Sequence, residues 1–326
     1  MTLAVGLVAG SCSGGGNAPP ATPTATGSVS APTSPTAATT PTITSGIDRV
    51  FLNSLHVQRF APVDVGADSS IAAGFGGVWV TSGRQLVEFD PDSGTQLSTV
   101  SLDESGGAIV SGHEWLWLID GSPGSGALHP TVVAVDPASG EIAAQSPDQS
   151  RGLAALADGN EGVWATNPAS GTVVELDPIT ARERHTYHVD SSPGAGTISA
   201  RFGQVLVIDH ETGSLTSIDE STGKVHRGRL GGTPYAIAFG DNGIWFTDNE
   251  NGVVVDLPPS GKVKPVPLQV GAGPIAVGEG AVWVGSIGGD TLWRIDQRTR
   301  KVQTILLDGP PVSIAVGEGA VWVLYS

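Results

Sequence analysis

The chain has 326 residues, 46 of them Gly and 23 Pro, and only 15% are charged. Acidic residues outnumber basic ones by 32 to 16, and a net charge of −16 argues against a nucleic-acid partner, because such a surface repels phosphate. A single cysteine excludes an intrachain disulfide, and Gly and Pro at this frequency punctuate many short segments rather than long helices.

Residues 1–11 read MTLAVGLVAGS, a short apolar run that ends in small residues directly before Cys12. The run is too short to span a bilayer as a helix. It resembles a bacterial lipoprotein signal, in which the cysteine is lipidated and becomes the mature N-terminus. Ala9 stands where Leu is usual, and no Lys or Arg precedes the run. The resemblance implies lipidation at Cys12 and a place outside the cytoplasmic membrane, in the bacterial cell envelope. Residues 12–46 are rich in Ser, Thr, Pro, Ala and Gly, with no charged or aromatic side chain between Cys12 and Ile47. Such a segment buries too little apolar surface to offset its ordering entropy, which predicts a disordered tether.

From Ile47 the chain repeats. A Gly-containing turn leads into an apolar strand centred on Trp79, Trp117, Trp164, Trp245, Trp283 and Trp322, with Leu206 in the corresponding place of the fourth unit. The intervals are 38, 47, 42, 39, 38 and 39 residues, a strong sign of a repeat architecture. Each unit reads as four short strands with period-2 alternation, which makes it a propeller blade. The third strand ends at a turn Asp in EFDPDSG (Asp90), AVDPASG (Asp136), ELDPITA (Asp177), SIDESTG (Asp219) and RIDQRTR (Asp296). Asp accepts backbone N–H bonds in its own turn, Pro presets φ and Gly supplies φ > 0. In the fifth unit, VDLPPSG, we read Asp256 as this turn Asp moved by one place.

The seventh unit stops after two strands. RVFLNSLHV and QRFAPVDVG near the start of the domain are expected to supply the other two and close the ring. The fold predicted for 47–326 is therefore all-β, a seven-bladed β-propeller, at 40 residues per blade. The repeated Trp is read as packing between blades, with Trp115 and Trp293 outside the repeated position.

The unit GxGAVWVxxxxxxxLxxIDxxTGKV resembles the propellers of the virginiamycin B lyase-like group over residues 66–326. GDNGIWFTDNENGVVV in the fifth unit comes nearest to it. The resemblance implies the fold. For the lyases it would also bring ring-opening elimination by a His base with a Glu and a magnesium ion. Asp248 stands where that group's blade Glu often stands, no His follows it, and no residue-for-residue match to the catalytic set is found. Quinoprotein propellers are disfavoured because Trp is absent eight residues after each turn Asp, and WD repeats because their Gly-His and Trp-Asp pairs are missing.

Loops joining strands two to three and four to one gather at one end of a propeller channel, and a rigid scaffold carries function on such loops. By residue type, His210 and Glu211 are the candidate catalytic pair, as base and carboxylate. Asp209, Asp248 and Glu250 are candidate ligands for a divalent cation, Mg or Ca. His129, Arg151, Tyr235, Asn249 and Asn251 are candidate ligand-binding residues. The function expected is that of a monomeric, lipid-anchored binding module for an envelope protein or ligand, touching the membrane through its anchor alone. The alternative is a metal-dependent lyase or hydrolase similar to virginiamycin B lyase.

Overall fold

The computed structural model describes residues 45–121, 126, 129–147, 152–189, 198–268 and 271–326. Cys12, nearly all of the tether and Arg151 lie outside them. Among the described residues no helix is long and apolar enough to cross a membrane.

Among the described residues, twenty-eight strands form seven four-stranded antiparallel sheets. Blades 1 to 6 each take four consecutive strands, from Ile71–Gly74 through Val302–Leu306. Blade 7 is composite, as expected: Pro311–Gly317 and Ala320–Tyr325 form its inner half, and Gly46–Phe51 and Val57–Pro62 its outer half. Gly46 pairs with Tyr325 and Phe51 with Ala320, so the first strand of the domain is zipped along the last.

The core consists of seven apolar layers, one at each seam between neighbouring blades. Strand alternation dictates this, because each blade has two faces and both are covered. The repeated Trp residues lie in or beside these layers at 0–2% exposure. Nε1 of Trp79, Trp117, Trp283 and Trp322 donates to the carbonyl of Gly74, Gly112, Gly278 and Gly317, five residues earlier, at 3.0–3.3 Å. Each thus satisfies its one donor at the hairpin that precedes it. Trp293 is also buried, in the layer between blades 5 and 6, and Trp115 is half-buried.

Two residues after the Trp, a Thr hydroxyl joins adjacent blades. Thr81 Oγ1 accepts from the N–H of Ser70 and donates to the carbonyl of Gly107. Thr247 accepts from Ala236 and donates to Gly273 in the same way.

The third-to-fourth strand turns follow the expected chemistry. Oδ1 of Asp90, Asp136, Asp177, Asp219 and Asp296 accepts backbone N–H bonds two or three residues on, and all five carboxyls lie below their ordinary range, held there chiefly by the Ser93 hydroxyl at Asp90, the Thr222 and Ser221 hydroxyls at Asp219, and the backbone bonds at the other three.

Asp256 is a correction. In register it faces Trp245, as Glu88 faces Trp79 and Glu175 faces Trp164, so it is a strand residue and not a displaced turn Asp. Pro258 occupies the turn position. The buried Asp256 carboxylate instead receives Arg300 of blade 6, with Nε and a terminal nitrogen at 2.7 and 2.5 Å.

Candidate functional site

In blades 1 to 6, three residues past the Trp position at the end of the second strand, stands a polar side chain that organises the loop face; blade 7 has Tyr325 there. Ser82 donates to Asp64 O, and buried Asp120 accepts the N–H groups of Asp103 and Glu104. Asn167 accepts from Ser170, and Ser286 joins Gly289 O to Thr291 N. Asp209 and Asp248 occupy this same position in blades 4 and 5. Burial pushes the Asp120 carboxyl up, with its two N–H bonds pulling the other way.

Asp209 lies between strands Gln204–Ile208 and Ser214–Asp219 and is 4% exposed. Its Oδ1 accepts from the N–H groups of Glu211 and Thr212, at 2.7 and 3.2 Å. The Gly213 N–H closes the turn on Asp209 O, with Gly213 at φ +64°. Residues 209–213, DHETG, thus repeat the turn chemistry of DPDSG, DPASG and DESTG in a second-to-third strand loop. Asp209 Oδ2 is buried without a hydrogen-bond partner.

Asp248 ends strand Gly243–Asp248 and is 5% exposed. Oδ1 accepts from Asn251 N and from Thr233 Oγ1, and Oδ2 from the Asn251 amide at 2.7 Å. Thr233, entering from the loop between blades 4 and 5, also bonds exposed Glu250 at 3.4 Å. Asn251, predicted to contact a ligand, therefore braces its own loop. Half-buried Asn249 closes that loop by accepting the Gly252 N–H through its carbonyl.

His210 is half-buried, and its Nδ1 lies 2.8 Å from Pro234 O. A carbonyl only accepts, so Nδ1 carries the proton and Nε2 is the nitrogen left for a ligand. The ring rests 5.6 Å from that of Tyr235 at 37°, and Tyr235 is 39% exposed. Blades 4 and 5 thus build one ledge: His210 from one, Tyr235 from the other, over a floor fixed by Asp209 and Asp248. Glu211 is exposed beside His210. His129 is exposed in the second-to-third strand loop of blade 2.

Among the described residues, no three His, Cys, Asp or Glu side chains gather where they could hold a metal. Both oxygens of Asp248 and one of Asp209 already accept hydrogen bonds within their loops. The predicted cation ligands do not form one set with His210 in this arrangement. The repeat itself shows why, since Asp209 and Asp248 fall three residues after the Trp place, at a position that is polar in most blades. The mutual approach of His210 and Tyr235 had no such signal, because it depends on the seam between two blades.

Seven blades, the composite closure and this loop face decide the kinship of fold. The chain shares the fold of virginiamycin B lyase. The enzyme from Staphylococcus aureus superposes with a TM-score of 0.64 at 14% identity, over 86% of this chain and 99% of that one. A catalytically inactive His-to-Ala variant of it, solved with quinupristin, gives 0.63 at 13% identity over the same shares. BamB from Moraxella catarrhalis gives 0.55 at 16% identity, over 86% of this chain and 91% of that one. No family model matches the sequence. No curated protein matches it either.

Proposed function

We propose that this protein is a binding module of the bacterial cell envelope, lipid-anchored at Cys12, whose blade 4 and 5 loops recognise a ligand or partner protein. One observation carries the reading. The buried carboxylates Asp209 and Asp248 are engaged in building their loops, which leaves an aromatic ledge of His210 and Tyr235 displayed to solvent beside exposed Glu211 and Glu250. A tilted His–Tyr ledge on fixed loops suits stacking of the Tyr235 face on a planar or sugar-like group with one hydrogen bond to Nε2.

The full-length protein, screened by thermal shift against cell-wall fragments and envelope extracts, tests it. A ligand at about 100 times its dissociation constant stabilises the folded state by about 2.7 kcal/mol. Tyr235→Ala should remove that shift while keeping the unliganded midpoint. A shift that survives both Tyr235→Ala and His210→Ala counts against this ledge. Mass analysis of the membrane fraction for a lipid on Cys12, with Cys12→Ala released into the soluble fraction, tests the anchor.

A second reading, a lyase or hydrolase, draws on the tautomer of His210 and on the unpaired Oδ2 of Asp209. With Nδ1–H held by Pro234 O, Nε2 is poised as a general base. Magnesium-dependent turnover of a cyclic depsipeptide, lost in His210→Ala, would favour it.

A further inference from the structure

The repeat fails twice at one seam. Blade 4 has Leu206 in place of the Trp, and blade 5 has Pro258 in place of the turn Asp. Among the described residues, the layer between these blades holds five buried apolar side chains, against eleven in the layer between blades 7 and 1. Phe239, Ile244 and Leu257 pack on this thin layer but are only partly buried. At this seam, at the end of the propeller opposite the His210 loops, lies a groove of about 520 Å³ walled by Phe202, Phe239, Ile244, Leu257, Pro258 and Pro259.

Phe202, 60% exposed, holds φ at +57° on the hairpin tip, as Phe75, Glu279 and Glu318 do at the matching tips of blades 1, 6 and 7, a position that Gly or Asn takes without strain. Its ring stands edge-on to Phe239 at 6.1 Å and 85°. Gly243 forms part of the floor, where an added Cβ would stand 2.6 Å from Leu257 O. The rim is acidic. Asp241 lines both the groove and an adjoining hollow of about 400 Å³, into which Glu279 also opens. Arg201, which lines the adjoining hollow, lies 4.6 Å over the Phe202 ring and 3.9 Å from Asp241, so ring and rim already hold a guanidinium between them.

We propose that this groove docks an extended, proline- and leucine-containing peptide segment of another protein, one that carries arginine or lysine beside its apolar anchors. Aromatic and proline walls suit a polyproline-type strand, which loses little entropy on binding. Charge selects among the possible occupants. A second copy of this chain brings another −16, and an anionic bilayer brings lipid phosphates, and the acidic rim repels both.

The test is fluorescence anisotropy on the full-length protein. The probe is a labelled ten-residue peptide alternating leucine and proline with two arginines; the control has glutamates in their place. The arginine peptide should bind, and the control at least about tenfold more weakly. Phe202→Asn suits the left-handed turn and so preserves the fold; it should weaken binding at least about tenfold, whereas Tyr235→Ala at the opposite end should not change it. Absence of binding to the arginine peptide overturns the proposal, as does binding that Phe202→Asn leaves intact. Sedimentation velocity supplies the remaining arm. Self-association abolished by Phe202→Asn assigns the groove to a second copy and overturns the proposal.

Discussion

The Arg59 guanidinium lies 2.8 Å from the Asp308 carboxylate, although 249 residues of chain separate the two. Arg59 belongs to the outermost strand of blade 7, and Asp308 to the loop that enters the same blade from blade 6. The Asp308 N–H in turn donates to Asp48 Oδ2 at 2.9 Å, so one short chain of polar contacts pins the start of the domain to its end. Asp48 has no exposed surface, and its Oδ1 has no partner.

Burial, the largest influence, pushes the Asp48 carboxyl up to about 6. A carboxyl raised in the folded state keeps its proton there while the unfolded chain has lost it. Stability therefore falls as pH rises from about 4 to about 6 and is level above that. The shift amounts to at most about 3 kcal/mol at neutral pH. Asp48→Asn keeps an acceptor for Asp308 N–H and removes the charge. It should raise the thermal midpoint by several degrees at pH 7.5 and leave it unchanged at pH 4. Equal effects at both pH values would contradict the burial argument.

The Asp256–Arg300 contact makes a different prediction. Asp256 is 4% exposed and faces Trp245 within blade 5, while Arg300 reaches it from the third-to-fourth strand turn of blade 6. Removing the cation alone leaves a buried, uncompensated carboxylate. Arg300→Ala should thus destabilise by about 3–5 kcal/mol in urea unfolding. The double variant Asp256→Asn with Arg300→Ala should recover at least about half of that loss, because the amide costs less to bury than the anion. Strict additivity of the two single changes would show that the pair is not coupled.

What the sequence told, and what it withheld, follows from the scale of each interaction. Blade number, strand order and closure rest on repeats of period 2 and about 40, and both periods are written in the residues. Turn Asp residues cap within four positions, so their role was legible too. VDLPPSG resembles a turn motif with one residue out of place, and only the pairing of Asp256 with Trp245 reveals a strand position. Asp209 and Asp248 suggest cation ligands by their charge, yet they hold the position three residues after the Trp place that Asn167 and Ser286 hold elsewhere. That regularity was in the sequence. The His210–Tyr235 ledge and the Phe202 groove were not, because both arise where residues of separate blades meet across a seam.

Two neighbouring glycines separate backbone strain from site geometry. Gly231 and Gly232 both have positive φ, +77° and +66°, in the loop between blades 4 and 5. A Cβ at Gly231 meets nothing within 4 Å, whereas one at Gly232 would stand 2.0 Å from Asp248 Oδ2, the oxygen that receives the Asn251 amide. Gly231→Ala should therefore cost only the left-handed strain, about 1 kcal/mol, and leave ligand-induced thermal shifts intact. Gly232→Ala carries the same strain and must also displace the Asp248 carboxylate, releasing Asn251 and Thr233 from their brace. It should cost about 1–3 kcal/mol more, the scale of a buried acceptor losing its partners. It should also weaken any ligand held beside Tyr235, because the Thr233 loop leads directly into Pro234 and Tyr235. Urea unfolding of both variants, read beside their thermal shifts with ligand, distinguishes the outcomes: equal losses would mean that the Asp248 brace does not support the ledge.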